Sequence, residues 1–161
     1  MAQITIPDSS TGTKQGWYST SSSSGNSGHT ITMIFDNKTM TDFAATINNI
    51  TINSAKLHLS CSKSGADRKK KFRLKMYGGT TLAYDYGTEK YSDEYAYNDS
   101  DVPITLTAAS VKKWLSTAGT KKITSIDPQT GLHFGSGPWY SYNYVKVTNS
   151  WLVIDYTVNS S

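Results

Sequence analysis

The sequence predicts an all-β protein, a β-sandwich with one short helix. Three observations carry this. Apolar residues alternate with polar ones in many short runs separated by Gly, Ser, Asn and Asp. Only one segment changes to helical spacing. The composition is rich in Ser, Thr, Asn, Gly and Tyr, with charged residues at 17%. A chain of 161 residues suits a single domain, residues 1–161, with enough apolar surface for a core without disulfides.

Gln3 to Pro7 reads as a first strand with Ile4 and Ile6 on one face and Pro7 ending it. Gly16-Trp17-Tyr18-Ser19 is a candidate second strand. Ser19 to Gly28 is a Ser/Gly/Asn tract with almost nothing to bury, expected as a flexible surface loop. His29 to Asp36 alternates Ile31, Met33 and Phe35 against Thr30, Thr32 and Ile34. Met40 to Ile50 is ambiguous: Phe43, Ala44 and Ile47 have helical spacing, but Asn48-Asn49 and the threonines oppose a helix, so one helical turn or a loop is expected.

Ile52 to Lys63 is the clearest amphipathic strand, with Ala55, Leu57, Leu59 and Cys61 inward and Lys56, His58 and Ser60 outward. After a turn at Ser62–Asp67, Lys69 to Tyr77 returns with Phe72, Leu74 and Met76 inward. Thr80 to Tyr86 and Tyr91 to Tyr97 read as further strands. Ala108, Val111, Trp114 and Leu115 then fall on one face of a helix over 108–117, which Thr107 can cap and Gly119 can stop. Short strands follow at Lys121–Ile126, Gly131–Gly135 and Tyr142–Thr148. Trp151 to Val158 closes the chain with apolar residues on both faces, the pattern of a central strand covered on both sides. Asp155 is the residue in it that requires a polar partner or an edge position.

The order of these segments resembles a known family. Asn53-Ser-Ala-Lys-Leu-His-Leu59 is similar to its "s-A-x-L-x-L" strand, and Val102 to Leu115 to its "v-x-i-D-v-T-x-x-V-x-x-W" strand and helix. Gly131-Leu-His-Phe-Gly135 is similar to the "G-l-x-l" strand, and Trp151 to Tyr156 to the closing "P-x-L-x-I-x-Y" strand. Thr105 stands where the family has Asp, and Ser150 where it has Pro. The family is the DNRLRE-type domain, related in fold to galactose-binding-like carbohydrate-binding modules and found also in structural proteins of tailed bacteriophages. The resemblance covers about residues 50–158 and implies a jelly-roll sandwich.

No catalytic signature is present. His29, His58 and His133 are far apart, no Gly-x-Ser-x-Gly occurs, and no carboxylate pair is singled out by spacing. A non-enzymatic role without a cofactor is therefore expected. Cys61 is the only cysteine, so neither an intrachain disulfide nor a cysteine-rich zinc site can form. Asp93, Glu94, Asp99 and Asp101 lie in the densest acidic stretch and are the candidate ligands for a structural Ca²⁺, which modules of this kind often hold.

The net charge of +4 is too small to imply nucleic acid. Arg68 to Lys71, with Arg73 and Lys75, is a basic patch read as a solvated face that blocks unwanted strand pairing. No run of residues suits a membrane span. The first residues lack the basic-then-apolar pattern of a secretory signal, which fits release by lysis or a processed form.

The aromatics are the most unusual feature. Tyr84, Tyr86, Tyr91, Tyr95 and Tyr97 form one cluster, and Trp139, Tyr140, Tyr142 and Tyr144 another. Three uses compete for them: core or rim packing, a protein interface, and stacking on sugar rings. The expectation is a phage virion subunit, capsid decoration or tail fibre, packing on itself or on other virion proteins. The alternative is a glycan-recognising module.

Overall fold

Two antiparallel sheets form in the order that defines a jelly roll. The computed structural model describes residues 1–10, 14–21, 25–28, 31–64, 69–86, 90–95, 98–129 and 141–160; side chains are described for 1–10, 31–60, 74–86, 101, 103–124 and 147–160. The strands are β1 (Ala2–Pro7), β2 (Lys14–Ser21), β3 (Gly25–Gly28), β4 (Ile31–Phe35), β5 (Ile50–Ser64), β6 (Lys69–Gly78), β7 (Thr81–Asp85), β8 (Lys90–Tyr95), β9 (Asn98–Leu106), β10 (Lys121–Gln129) and β11 (Ser141–Val158). Helix α1 (Lys38–Ala44) and a 3-10 turn (Ile47–Asn49) join β4 to β5, and α2 (Ala108–Leu115) joins β9 to β10.

Sheet A runs β3-β2-β11-β5-β9, with β1 also on β11; sheet B runs β4-β10-β6-β7, with β8 also on β6. β1 and β2 share one position along β11, and β7 and β8 share one along β6. With β3 set aside as a short addition to the edge of β2, the first, third, sixth and last positions make one sheet, and the second, fourth, fifth and seventh the other. That is the double Greek key of a jelly roll.

The core between the sheets follows from the alternation. Ile31, Met33 and Phe35 of β4, Leu57 and Leu59 of β5, Leu74 and Met76 of β6, Ile123 of β10, and Leu152 and Ile154 of β11 are all buried. Near its start β5 changes phase: Ile50 and Ile52 are buried, then Ala55, Leu57 and Leu59. A bulge against β11 at Asp155/Tyr156 supplies the extra residue that switches faces.

The helices close one end of the sandwich. In α2, Thr107 Oγ1 accepts the Ser110 N–H at 3.2 Å, as its sequence suggests. Val111, Trp114 and Leu115 are buried, and Trp114 Nε1 donates to the Tyr77 carbonyl at 2.9 Å while its ring meets Phe35 edge-on. Helix α1 is the second helix, where a single one is expected from the sequence. Asn37 Oδ1 caps it by accepting the Met40 N–H at 2.9 Å, and burial of Met40, Phe43 and Ile47 overrides the poor propensity of the segment.

Gly119 serves a turn rather than the α2 terminus, where Ser116 is the C-cap. Its φ is +100°, and a Cβ there would lie 2.6 Å from Gly79 N.

Three further expectations differ from the structure. The tract Ser19–Gly28 carries strand at Ser19–Ser21 and Gly25–Gly28, because hairpin pairing of β3 on β2 needs backbone groups and no apolar side chains. Residues 142–148 and 151–158 belong to one strand, β11, broken only by a bulge between Val147 and Asn149. β11 is central, paired with β1 and β2 on one side and β5 on the other, but over residues 147–158, where side chains are described, only one of its faces is buried. Leu152 and Ile154 point inward, whereas Trp151, Val153 and Asp155 are half-buried on the outer face. The expected strand Gly131–Gly135 lies outside the described residues.

Candidate functional site

The strand register places the Tyr-rich segments at the end of the sandwich opposite the helices. In β11, Tyr142 pairs with Ser19, and Tyr144 pairs with Trp17 on one side and Ser64 on the other. In β8, Tyr95 pairs with Lys69 and Tyr91 with Lys71. Trp139, Tyr140 and Tyr97 lie outside the described residues.

Tyr84 and Tyr86 stand apart from this end. Their rings meet edge-on at 4.9 Å and pack against the core. The Tyr86 hydroxyl accepts the Thr107 N–H at 3.0 Å and shares a 2.7 Å hydrogen bond with Ser110 Oγ, so this ring ties β7 to the first turn of α2.

The acidic candidates divide between the sheets. Asp93 and Glu94 are in β8, between residues whose partners are Lys69 and Lys71 of the basic strand. Asp99 is in β9 opposite Cys61. Asp101, exposed in β9, bonds His58 Nδ1 through Oδ1 at 2.6 Å. Among the described residues no group of three or more His, Cys, Asp or Glu gathers as a metal site. The basic strand is partly balanced too, since Lys75 Nζ lies 3.7 Å from Asp85.

Two arrangements have no signal in the linear sequence. The first is on the outer face of sheet A. Register aligns Pro7, Trp151, His58 and Pro103 across four strands. His58 and Trp151 stack at 5.3 Å with 7° between planes, and Asp101 fixes the imidazole. Four residues along β11 from Trp151, Asp155 accepts from Gln3 Nε2 at 2.9 Å and Ser54 Oγ at 2.8 Å. These bonds, with Lys56 nearby, hold its carboxyl below the usual range. The polar partners that Asp155 requires are thus supplied by the neighbouring strands.

The second is a cavity of about 200 Å³ at the closed end, between α1, the end of β4 and the start of β10. Phe35, Met40 and Ala44 line it with Asp36, Thr41, Gly119, Thr120 and Lys121. Lys121 is 7% exposed, and its ammonium donates to the carbonyls of Thr117 and Gly119. Burial pushes that amine below the ordinary lysine range.

No protein-family model matches the chain, and no curated protein matches it significantly.

Proposed function

We propose that this chain is a non-enzymatic structural protein of a tailed-bacteriophage virion, a capsid-decoration or tail or fibre subunit that packs on itself or on other virion proteins. The observation that supports this most is the jelly-roll order, closed by helices at one end and bearing its Tyr-rich strands at the other. Such a subunit works through surface complementarity, and aromatic residues are the side chains that carry most energy in protein contacts. The resemblance to DNRLRE-type domains points the same way, and assembly in the host cytoplasm with release by lysis accompanies this reading. The test is mass spectrometry of purified particles of the phage that encodes the chain, together with light scattering of the isolated protein. A chain absent from particles and monomeric at high concentration sinks the proposal.

A glycan-recognising role is the second reading, favoured by one feature. The pairs Tyr144 with Trp17 and Asn143 with Tyr18 bring aromatic residues of β2 and β11 together on adjacent strands. Stacking on sugar rings would use Trp139, Tyr140, Tyr142 and Tyr144. A glycan array with no hits, or binding unchanged by Trp139→Ala, rejects it.

A further inference from the structure

One edge of β1 is open, and its phase follows from the register. β1 pairs with β11 alone, from Ala2 opposite Tyr156 to Pro7 opposite Trp151. The next pair in that register is Asp8 and Ser150, and there the Asp8 N–H donates to the Ser150 carbonyl at 3.0 Å. In an antiparallel ladder, hydrogen-bonded pairs alternate with unbonded ones. Ile6, Ile4 and Ala2 therefore turn their backbone groups to β11, and Pro7, Thr5 and Gln3 turn theirs away from it. The Pro7 carbonyl agrees with this phase, because Asn37 Nδ2 donates to it from outside the ladder at 2.8 Å. Pro7 has no N–H to offer. Among the described residues, nothing bonds the backbone N–H or carbonyl of Gln3 or Thr5.

Open edges invite other strands, and proteins guard them with charge, proline or cover. The free side of β4 is covered by Ser9, which bonds the Ile34 carbonyl and the Asp36 N–H. β9, at the far edge of sheet A, carries the exposed Asp101 and Pro103. β1 reads Ala-Gln-Ile-Thr-Ile-Pro, with no charged residue, no register shift, and proline only at its last position.

The open groups are also self-complementary. They belong to two residues, Gln3 and Thr5, on either side of Ile4. An antiparallel second copy with its Thr5 opposite Gln3 and its Gln3 opposite Thr5 pairs every one of them. Such a copy brings no like charge across the strand. It also sets Ile4 against Ile4 at an unbonded pair, where side chains approach most closely. Ile4 is half-buried against the core, whereas Ile6 is fully buried, so a neighbour at this edge covers apolar surface that β11 leaves open.

We propose that β1 is a self-association edge: two copies of this chain join antiparallel, β1 against β1, about a two-fold axis at Ile4, and their sheets A become one continuous sheet. The proposal rests on the reading of the chain as a subunit that packs on itself, and it gives that packing a surface.

The test uses the full chain. Sedimentation velocity over a concentration series is expected to show a monomer–dimer equilibrium. Thr5→Pro removes the outward N–H of each chain and leaves the groups facing β11 in place. It is expected to keep the circular dichroism of the unaltered chain and to weaken the dimer by about tenfold or more, the worth of the hydrogen bonds lost. Cys61 is the only cysteine, so Ile4→Cys in a Cys61→Ala background puts one thiol per chain on the axis. At an unbonded pair the Cα atoms are about 4.5 Å apart, within reach of a disulfide. Mild oxidation is expected to link that variant as a dimer, and to leave Thr5→Cys in the same background unlinked, because its partner is Gln3. A chain that is monomeric at every concentration, a dimer indifferent to Thr5→Pro, or linkage of Thr5→Cys in preference to Ile4→Cys overturns the proposal. Mass spectrometry of particles judges the virion reading separately. A chain found in particles that shows no β1 dimer keeps that reading and overturns only the edge, and a β1 dimer from a chain absent from particles supports the edge alone.

Discussion

Replacing Asp8 with Ala should loosen the clasp between the two sheets. The segment Asp8–Ser10 follows β1 and crosses from sheet A to the free edge of β4 in sheet B. The Asp8 N–H donates to the Ser150 carbonyl at 3.0 Å, and Asp8 Oδ2 accepts from Ser150 Oγ at 2.7 Å. Asp8 Oδ1 accepts the Ser10 N–H at 2.7 Å, the Ser10 hydroxyl, and the Ile34 N–H at 3.3 Å. Ser9 completes the edge: its N–H donates to the Ile34 carbonyl at 2.7 Å, and its Oγ accepts the Asp36 N–H at 2.7 Å. An edge strand that would otherwise offer open backbone groups to another chain is thereby covered.

The magnitude turns on Ser150, which is fully buried in β11. Without Asp8 its hydroxyl loses a charged acceptor inside the protein, at a cost of ~1–3 kcal/mol. The Ser10 and Ile34 groups lie nearer solvent, and water replaces much of what they lose, so the total for Asp8→Ala is about 2–3 kcal/mol. For a chain of this size that lowers the melting temperature by about 5–10 °C. Urea unfolding of the two single variants and the double variant separates the pair from its surroundings. Ser150→Ala should be nearly neutral once Asp8 is gone, giving a coupling of about 1–2 kcal/mol. A loss below ~0.5 kcal/mol for Asp8→Ala, or strictly additive losses, would refute the clasp.

Other consequences follow from particular contacts. Trp114→Phe keeps an aromatic ring beside Phe35 but removes the donor to the Tyr77 carbonyl, and should cost about 1–3 kcal/mol in chemical denaturation, against ~3–5 for Trp114→Ala. Equal losses for the two would show that the ring Phe keeps beside Phe35 contributes little. Gly119→Ala meets both a positive φ and Gly79 N at 2.6 Å, so calorimetry should show a loss of more than about 1 kcal/mol; an unchanged melting point contradicts the close contact of the two turns. Asp155 has a folded-state carboxyl held below its ordinary value of 3.8, so its stabilising bonds are present above that pH and lost as pH falls through the folded value. Urea midpoints from about pH 2 to 7 should therefore show Asp155→Asn less stable at neutral pH and the gap closing in acid; a gap independent of pH removes the carboxylate from the account.

Elements whose period matches one packing surface are legible in the sequence: β4, the middle of β5, and α2 all show their inward residues by spacing alone. Helix α1 is not, because its signal is an Asn cap and two residues, Met40 and Phe43, buried by tertiary packing rather than a long amphipathic stripe. The aromatic segment, Trp139 to Tyr144, is legible as composition, but no spacing rule assigns its use. The His58–Asp101 and Asp8–Ser150 bonds join residues 43 and 142 positions apart, and only strand register creates them.

β11 shows most directly why pattern and packing part. Read as uninterrupted alternation, its apolar residues fall on both faces and suggest cover on both sides. The bulge after Val147 adds one residue, so the buried set passes from Val147 to Ser150, Leu152 and Ile154. The Asn149-Ser150 pair that looks like a turn is then a polar site inside a continuous strand, made tolerable by the Asp8 carboxylate. On the outer face, Trp151 needs no second layer, because His58 on β5 stacks against its ring. A strand that seems to demand two hydrophobic neighbours is satisfied by one core and one cross-strand stack. That leaves the outer face of β11 from Trp151 to Asp155 a half-buried surface of a stacked ring and paired polar groups.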